Sequence, residues 1–208
     1  MRTQWIFKQK GVTLIELLVA LVILGIVIGS IYRLFIVQTR AYTVQDQVVE
    51  VQQNVRSAME IMLRDLRMTG YDDDSTTGLT IPTPIVTPVQ ESDIRVSYEY
   101  SAQRHTIHYW RDAPTATFLR QRTIDAVGEA QEVLLQNVDA LTFTYGIDTD
   151  EDGDVDNWVV AASVGTSKII AVSVTLTARP DQTNPDVKMR VSPRTLTSAV
   201  SFRNLIMK

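Results

Sequence analysis

The sequence predicts an α+β fold: one long N-terminal helix, membrane-spanning in its first half, packed on a mostly antiparallel β-sheet head. Three observations predict it. Val12 to Tyr32 is almost wholly apolar, interrupted by Glu16. Beyond it Leu34, Val37, Ala41, Val44, Val48, Val51, Val55, Ala58, Met62 and Leu66 recur at steps of three and four, the spacing of one helical face. After Gly70 the period changes to two, the alternation of half-buried strands.

Each element has its own local reason. The 21 residues from Val12 to Tyr32 make about 31 Å of helix, enough to cross a bilayer core. Lys8 and Lys10 just before the run favour a cytoplasmic N-terminus and an exported remainder. A cleaved secretory signal fits less well, because no A-x-A-like site follows and the run is long for such a segment. No proline occurs between Met1 and Ile81, so nothing breaks the helix until Met68-Thr69-Gly70. There Arg64 and Arg67 occupy the last turn and Gly70 supplies the residue after the cap. Asp72–Gly78 then reads as a loop, and the three prolines between Ile81 and Pro88 as an extended connection. Strands are predicted at 94–100, 106–111, 118–122, 141–147, 157–164 and 170–177, with a last extended segment through 187–191 and 196–202. Short connections between them make the sheet antiparallel.

Composition limits the function classes. The 208 residues suffice for one domain with an appendage. With no cysteine there is no disulfide scaffold, no thiolate metal site and no thiol nucleophile. The net charge of −4 argues against a nucleic-acid partner. It is unevenly spread, net +3 over residues 1–69 and net −7 over residues 70–208. No G-x-S-x-G, H-E-x-x-H or glycine-rich phosphate loop is present, so the chain does not read as an enzyme.

Glu16 is the odd residue of the apolar run. A carboxylate in a membrane helix is costly unless paired. In one reading Thr13-Leu14-Ile15-Glu16 is a capping box, the glutamate reaching back to the Thr13 amide. In the other, Glu16 neutralises a positive charge on a neighbouring chain. Gly25 and Gly29 form a small-xxx-small pair that can let helices approach closely.

The stretch from Lys8 through Gly11, Val12, Thr13 and Glu16 to Ala20 resembles the prepilin signal of type IV pilins and type II secretion pseudopilins. The resemblance implies cleavage between Gly11 and Val12 by a prepilin peptidase and N-methylation of Val12. It makes Glu16 the assembly glutamate, five positions into the mature chain. Val12 departs from the phenylalanine usual at the first mature position. Residues 1–11 become a leader peptide, 12–37 a transmembrane and filament-core helix, 38–69 an amphipathic continuation, and 70–208 a β-rich head of pilin-like fold. Arg64 to Tyr71 resembles the end of this helix in PilW-type minor pilins, with a milder likeness to the J-type pseudopilin of type II secretion. For such a subunit the resemblance implies a structural role in pilus assembly and initiation near the tip. Its partners would be other minor pilins, the major pilin and the bacterial inner membrane. The N-terminus would be cytoplasmic and the head periplasmic, later extracellular on the pilus. The rival readings are a type II secretion pseudopilin, a membrane-anchored calcium-dependent adhesive protein outside any filament, and a membrane-anchored enzyme.

The acidic loop Asp148-Thr149-Asp150-Glu151-Asp152-Gly153-Asp154-Val155-Asp156 follows the D-x-D-x-D-G pattern of calcium loops. The expected Ca²⁺ ligands are the side chains of Asp148, Asp150, Asp152 and Asp156, with the Asp154 carbonyl. Val159 stands where a calcium loop of the EF-hand type has its bidentate glutamate, and the flanks read as strands. The same residues also suit a polar hairpin loop with Asp-Gly turn chemistry. His105 and His108 on a strand point to opposite faces and do not share a metal.

Overall fold

The computed structural model of the chain describes residues 11–73, 84–180, 183, 185, 187 and 191–206. The basic part of the expected leader peptide and most of the loop expected after Asp73 lie outside them. The chain divides into two units, Met1–Thr43 and Val44–Lys208.

Helix α1 runs unbroken over Leu14–Arg67. Its apolar stripe becomes buried from Val51 onward, with Val55, Ala58, Met62 and Leu66, as the spacing predicts. Met59 and Leu63 widen the buried face, as three or four apolar residues per two turns require of a core-facing helix. Leu34 and Val37, on the same stripe, stay exposed. Gly70 adopts the left-handed conformation expected after a helix, with φ +71°. Its amide, however, donates to the Ser97 carbonyl at 2.9 Å, so the helix end is stitched to a strand. The orphan carbonyls of the last turn are met from the C-terminus: Asn204 Nδ2 donates to the Thr69 and Arg67 carbonyls at 3.1 and 3.4 Å.

Where one sheet was expected, the head has two, both antiparallel. The first contains β1 (Asp93–Tyr100), β2 (Gln103–Asp112), β3 (Thr117–Ile124) and β4 (Val127–Gly128), in that order, with β5 (Glu132–Leu135) also on β3. The second has the order β7-β6-β8-β9, with β6 at Val138–Asp148, β7 at Asn157–Val160, β8 at Lys168–Ala178 and β9 at Arg194–Ser201. A short helix α2 (Arg203–Ile206) follows β9. Chain before and between the strands of the first sheet covers the β6 edge that β7 leaves free. Phe143 donates to the Glu91 carbonyl and Val138 to the Ala116 carbonyl, each at 2.7 Å. Ile94, Ile107, Tyr109 and Phe118 from one sheet, and Phe143, Tyr145, Val172 and Leu176 from the other, form one core with α1.

The strand expected over 157–164 stops at Val160 and turns into a 3₁₀ helix, Ala161–Ser163. The turn carries Val164 into the core, and Gly165 at φ +58° completes the reversal. The extended reading of 187–191 is corrected at its described ends. Val187 is helical, and the Val191 amide donates to its carbonyl at 2.9 Å.

A buried carboxylate joins α1 to the first sheet. Asp65 Oδ2 accepts from Tyr109 Oη at 2.7 Å and from Arg120 Nε and Nη2 at 2.9 and 2.8 Å. Arg120 Nη1 also reaches Glu132 at 3.2 Å. Burial and the Asp65 charge push the Tyr109 phenol well above its usual range, so it stays a donor. Removing one partner of a buried pair leaves an uncompensated charge. Asp65→Ala should cost about 2–3 kcal/mol, below the usual figure because Arg120 keeps Glu132 and is 17% exposed. Arg122→Ala, which breaks the exposed pair with Glu129, should cost under about 1 kcal/mol. Urea denaturation of the detergent-solubilised chain, followed by tryptophan fluorescence, measures both. Equal losses would contradict the role given to Asp65.

Candidate functional site

Two regions carry the residues singled out in the sequence. The first is the N-terminal end of α1. Gly11 and Val12 lie just ahead of the helix, and Val12 is 74% exposed. Thr13 and Glu16 form the capping box: Glu16 Oε2 accepts from the Thr13 amide at 2.8 Å and from its hydroxyl at 2.9 Å, while the Glu16 amide donates back to Thr13 Oγ1 at 3.4 Å. Both bonds to the carboxylate fall on one oxygen, and Oε1 takes none among the described residues. From Val12 to Val37 the Leu, Ile and Val side chains other than Ile36 are about half exposed or more, and Gly25 and Gly29 have open space where a Cβ would stand. The helix is long and apolar enough to cross a membrane.

The second region is the acidic loop between β6 and β7. Asp148, 2% exposed at the end of β6, organises it. Its Oδ1 accepts the Glu151 amide at 2.6 Å and its Oδ2 the Gly153 amide at 3.1 Å. Glu151 and Gly153 take positive φ values of 62° and 91° to present those amides. At the far end Asp156 accepts the Thr149 amide at 2.7 Å and the Thr149 hydroxyl. One oxygen each from Asp148, Asp150 and Asp156 lies within 4.8 Å of the others. Asp152 and Asp154 do not join that group; Asp152 Oδ1 instead accepts the Asp154 amide at 2.8 Å. The loop thus brings together the carboxylates of three of the four aspartates whose side chains were named from the sequence.

Electrostatics separates these carboxylates. The Asp152 amide bonded to Asp150 pulls its pKa down, but the charges of Asp152, Asp156 and Asp148 outweigh it and the net shift is upward. Asp156 is held below the usual carboxylate range by its bonds from Thr149. Like charges crowded around Asp150 are the condition under which a divalent cation, bound by hard oxygens, relieves most repulsion.

The histidines separate as the strand period requires. His105 faces inward, stacked on Tyr98 at 5.1 Å, and His108 faces outward, bonded to Asp93 at 2.6 Å. Burial lowers the His108 pKa, and the Asp93 bond only partly offsets it.

Asp65, Arg120 and Asn204 position the head on α1, and sequence patterning does not mark them as such. Asp65 sits beside the stripe position Leu66, and its partners lie far away in the chain. Two family models match the chain. Residues 108–202 match the type IV pilus-assembly protein W, and residues 6–32 match the prokaryotic N-terminal methylation motif. No curated protein matches it.

Proposed function

We propose that this type IV pilin-like chain, with its methylation motif and PilW-type head, is a minor structural subunit that helps initiate a pilus and sits near its tip. One observation carries the reading. A methylation motif at the N-terminus and a pilus-assembly match in the head are joined by one continuous helix whose first half keeps its apolar side chains exposed. Both families are structural, which accords with the absence of a catalytic motif. The match in the head favours the pilus over a type II secretion system.

In this reading a prepilin peptidase cuts between Gly11 and Val12 and methylates the new amine. The N-terminus faces the cytoplasm, and the head faces the periplasm until extrusion. Other minor pilins and the major pilin then cover the apolar half of α1 in place of lipid. Protein isolated from its host should have the mass of a chain that starts at N-methylated Val12. Retention of Met1–Gly11 in assembled material would overturn the processing step.

Glu16 would add a neighbour to its own cap. The carboxylate pairs with the charged amine of Val12 on the adjacent subunit, offsetting the desolvation of both. Oε1, which takes no bond among the described residues, supports this, since the capping bonds need not break first. Glu16→Gln should leave insertion and cleavage intact and cut the content of this protein in sheared filaments at least fivefold, equivalent to about 1 kcal/mol per subunit placed. Unchanged content would reduce Glu16 to a helix cap.

The acidic loop would hold Ca²⁺ through Asp148, Asp150 and Asp156. The support is their convergence and the crowding at Asp150. With few carboxylates and no bidentate glutamate, the expected Kd is about 10⁻⁴–10⁻³ M. Calcium at a hundredfold excess over Kd then adds about 2.7 kcal/mol of stability. Thermal melting of the full chain in detergent with EDTA, Mg²⁺ or Ca²⁺ measures it. A Ca²⁺-specific rise that Asp150→Ala removes is expected, and coincident curves would show an acidic turn with no metal role.

A further inference from the structure

The second sheet ends in two open edges whose chemistry is complementary. On one side β9 pairs only with β8 among the described residues. The Phe202 amide donates to the Ile170 carbonyl, which fixes the phase of that ladder. The backbone groups of Thr195, Thr197, Ala199 and Ser201 therefore point away from the sheet. All four residues are exposed, and their backbones have no partner among the described residues. From Thr195 to Ser201 the strand carries no charge and no proline, the usual guards of an exposed edge. At its C-terminal end a groove of about 400 Å³ opens between α1 and the strand, flanked by Arg67 and Arg203. Neither arginine is paired with a carboxylate among the described residues.

On the other side β7 pairs only with β6 among the described residues. Trp158 and Val160 are 49% and 43% exposed on it. The segment entering β7 is acidic, with Asp154 and Asp156.

We propose that the β7 edge of a second copy of this chain adds to the open edge of β9, continuing the sheet from one head into the next. Strand direction alternates across β7-β6-β8-β9, so β7 of a copy in the same orientation runs antiparallel to β9. The side-chain rows also continue. Val160 already shares a row with Thr144, Ser173 and Ala199, and Trp158 with Gly146, Ala171 and Ser201. Aligning Val160 of the second copy with Ala199, and Trp158 with Ser201, keeps each side chain on its face. It sets the indole beside small residues and brings the acidic segment of Asp154 and Asp156 toward Arg203 at the start of α2. The contact is heterologous, so it builds an open series.

A four-residue overlap is far smaller than the roughly 800 Å² per partner of a stable free complex. The pairing therefore acts where anchoring to a shared membrane raises the effective concentration toward millimolar. The natural chain has no cysteine, so engineered pairs report it cleanly. Directly opposed residues in an antiparallel pair are close enough for a disulfide.

The test uses the full chain in membranes, oxidised with copper phenanthroline. Val160→Cys and Ala199→Cys, co-expressed as single variants, should form a dimer, and the double variant a ladder of higher species. Ser201→Pro leaves the β8 ladder intact, because its amide points outward, and should reduce the yield at least fivefold. Arg203→Glu should reduce it as well, and the added change Asp154→Arg should restore it. Melting temperature checks that each variant is folded. Failure of the Val160–Ala199 product in folded protein overturns the proposal. So does efficient dimerisation of Ala199→Cys alone, which would mean that two β9 edges meet each other. Neither outcome bears on whether the chain is processed or enters a pilus.

Discussion

The constraint on which the rest of the structure depends is that α1 is apolar in two different ways. From Val51 to Leu66 its apolar residues form one face, and the head covers that face. From Val12 to Val37 they surround the helix, and nearly all remain exposed. Burying one Leu, Ile or Val is worth about 1.5–3 kcal/mol. An exposed segment of this length is therefore stable only in lipid or among other helices. A helix apolar on nearly every side suits both surroundings. Glu16 and Arg33 are the charged exceptions, and the Glu16 capping box shows how the isolated chain tolerates a carboxylate there.

The buried half of the helix needs orientation as well as burial. Apolar packing alone permits sliding, since many registers bury similar area. Asp65 removes that freedom, because one helical position meets both Tyr109 and Arg120. Two further ties act at the helix end. The Gly70 amide is bonded to Ser97, and Asn204 caps the last carbonyls. A Cβ on Gly70 would come within 2.5 Å of Leu205 Cδ2, so the C-terminus closes on the residue that lets the chain turn. These contacts link segments from both ends of the head to one point on α1.

Much of this was legible from periodicity. The stripe through Val51, Val55, Ala58, Met62 and Leu66 gave the buried face, and alternation located β1, β2, β6 and β8 with small errors at their ends. What alternation does not encode is which strands share a sheet. The split arises where the Glu91 and Ala116 carbonyls take the β6 amides that a further strand would need. Strand β4 was missed because its turn uses Asp125 and Ala126, both at positive φ, where turn signals usually show Asn-Gly. The acidic loop was visible as a pattern of aspartates. Its actual geometry depends on which carboxylates accept loop amides, and Asp148 and Asp152 are committed that way by the local backbone path.

The central claim is that the exposed half of α1 is a filament core and more than an anchor. The most direct measurement replaces Val12–Val37, beyond the cleavage site, with an unrelated membrane span of equal length. Host cells lacking this gene are supplied with the natural or the exchanged chain. Surface filaments are counted, and the chain is quantified in the sheared filament fraction. The exchanged chain should insert into the membrane at normal levels, be absent from filaments and fail to restore their number. Full restoration by an unrelated span would contradict the claim and leave α1 as a membrane anchor only.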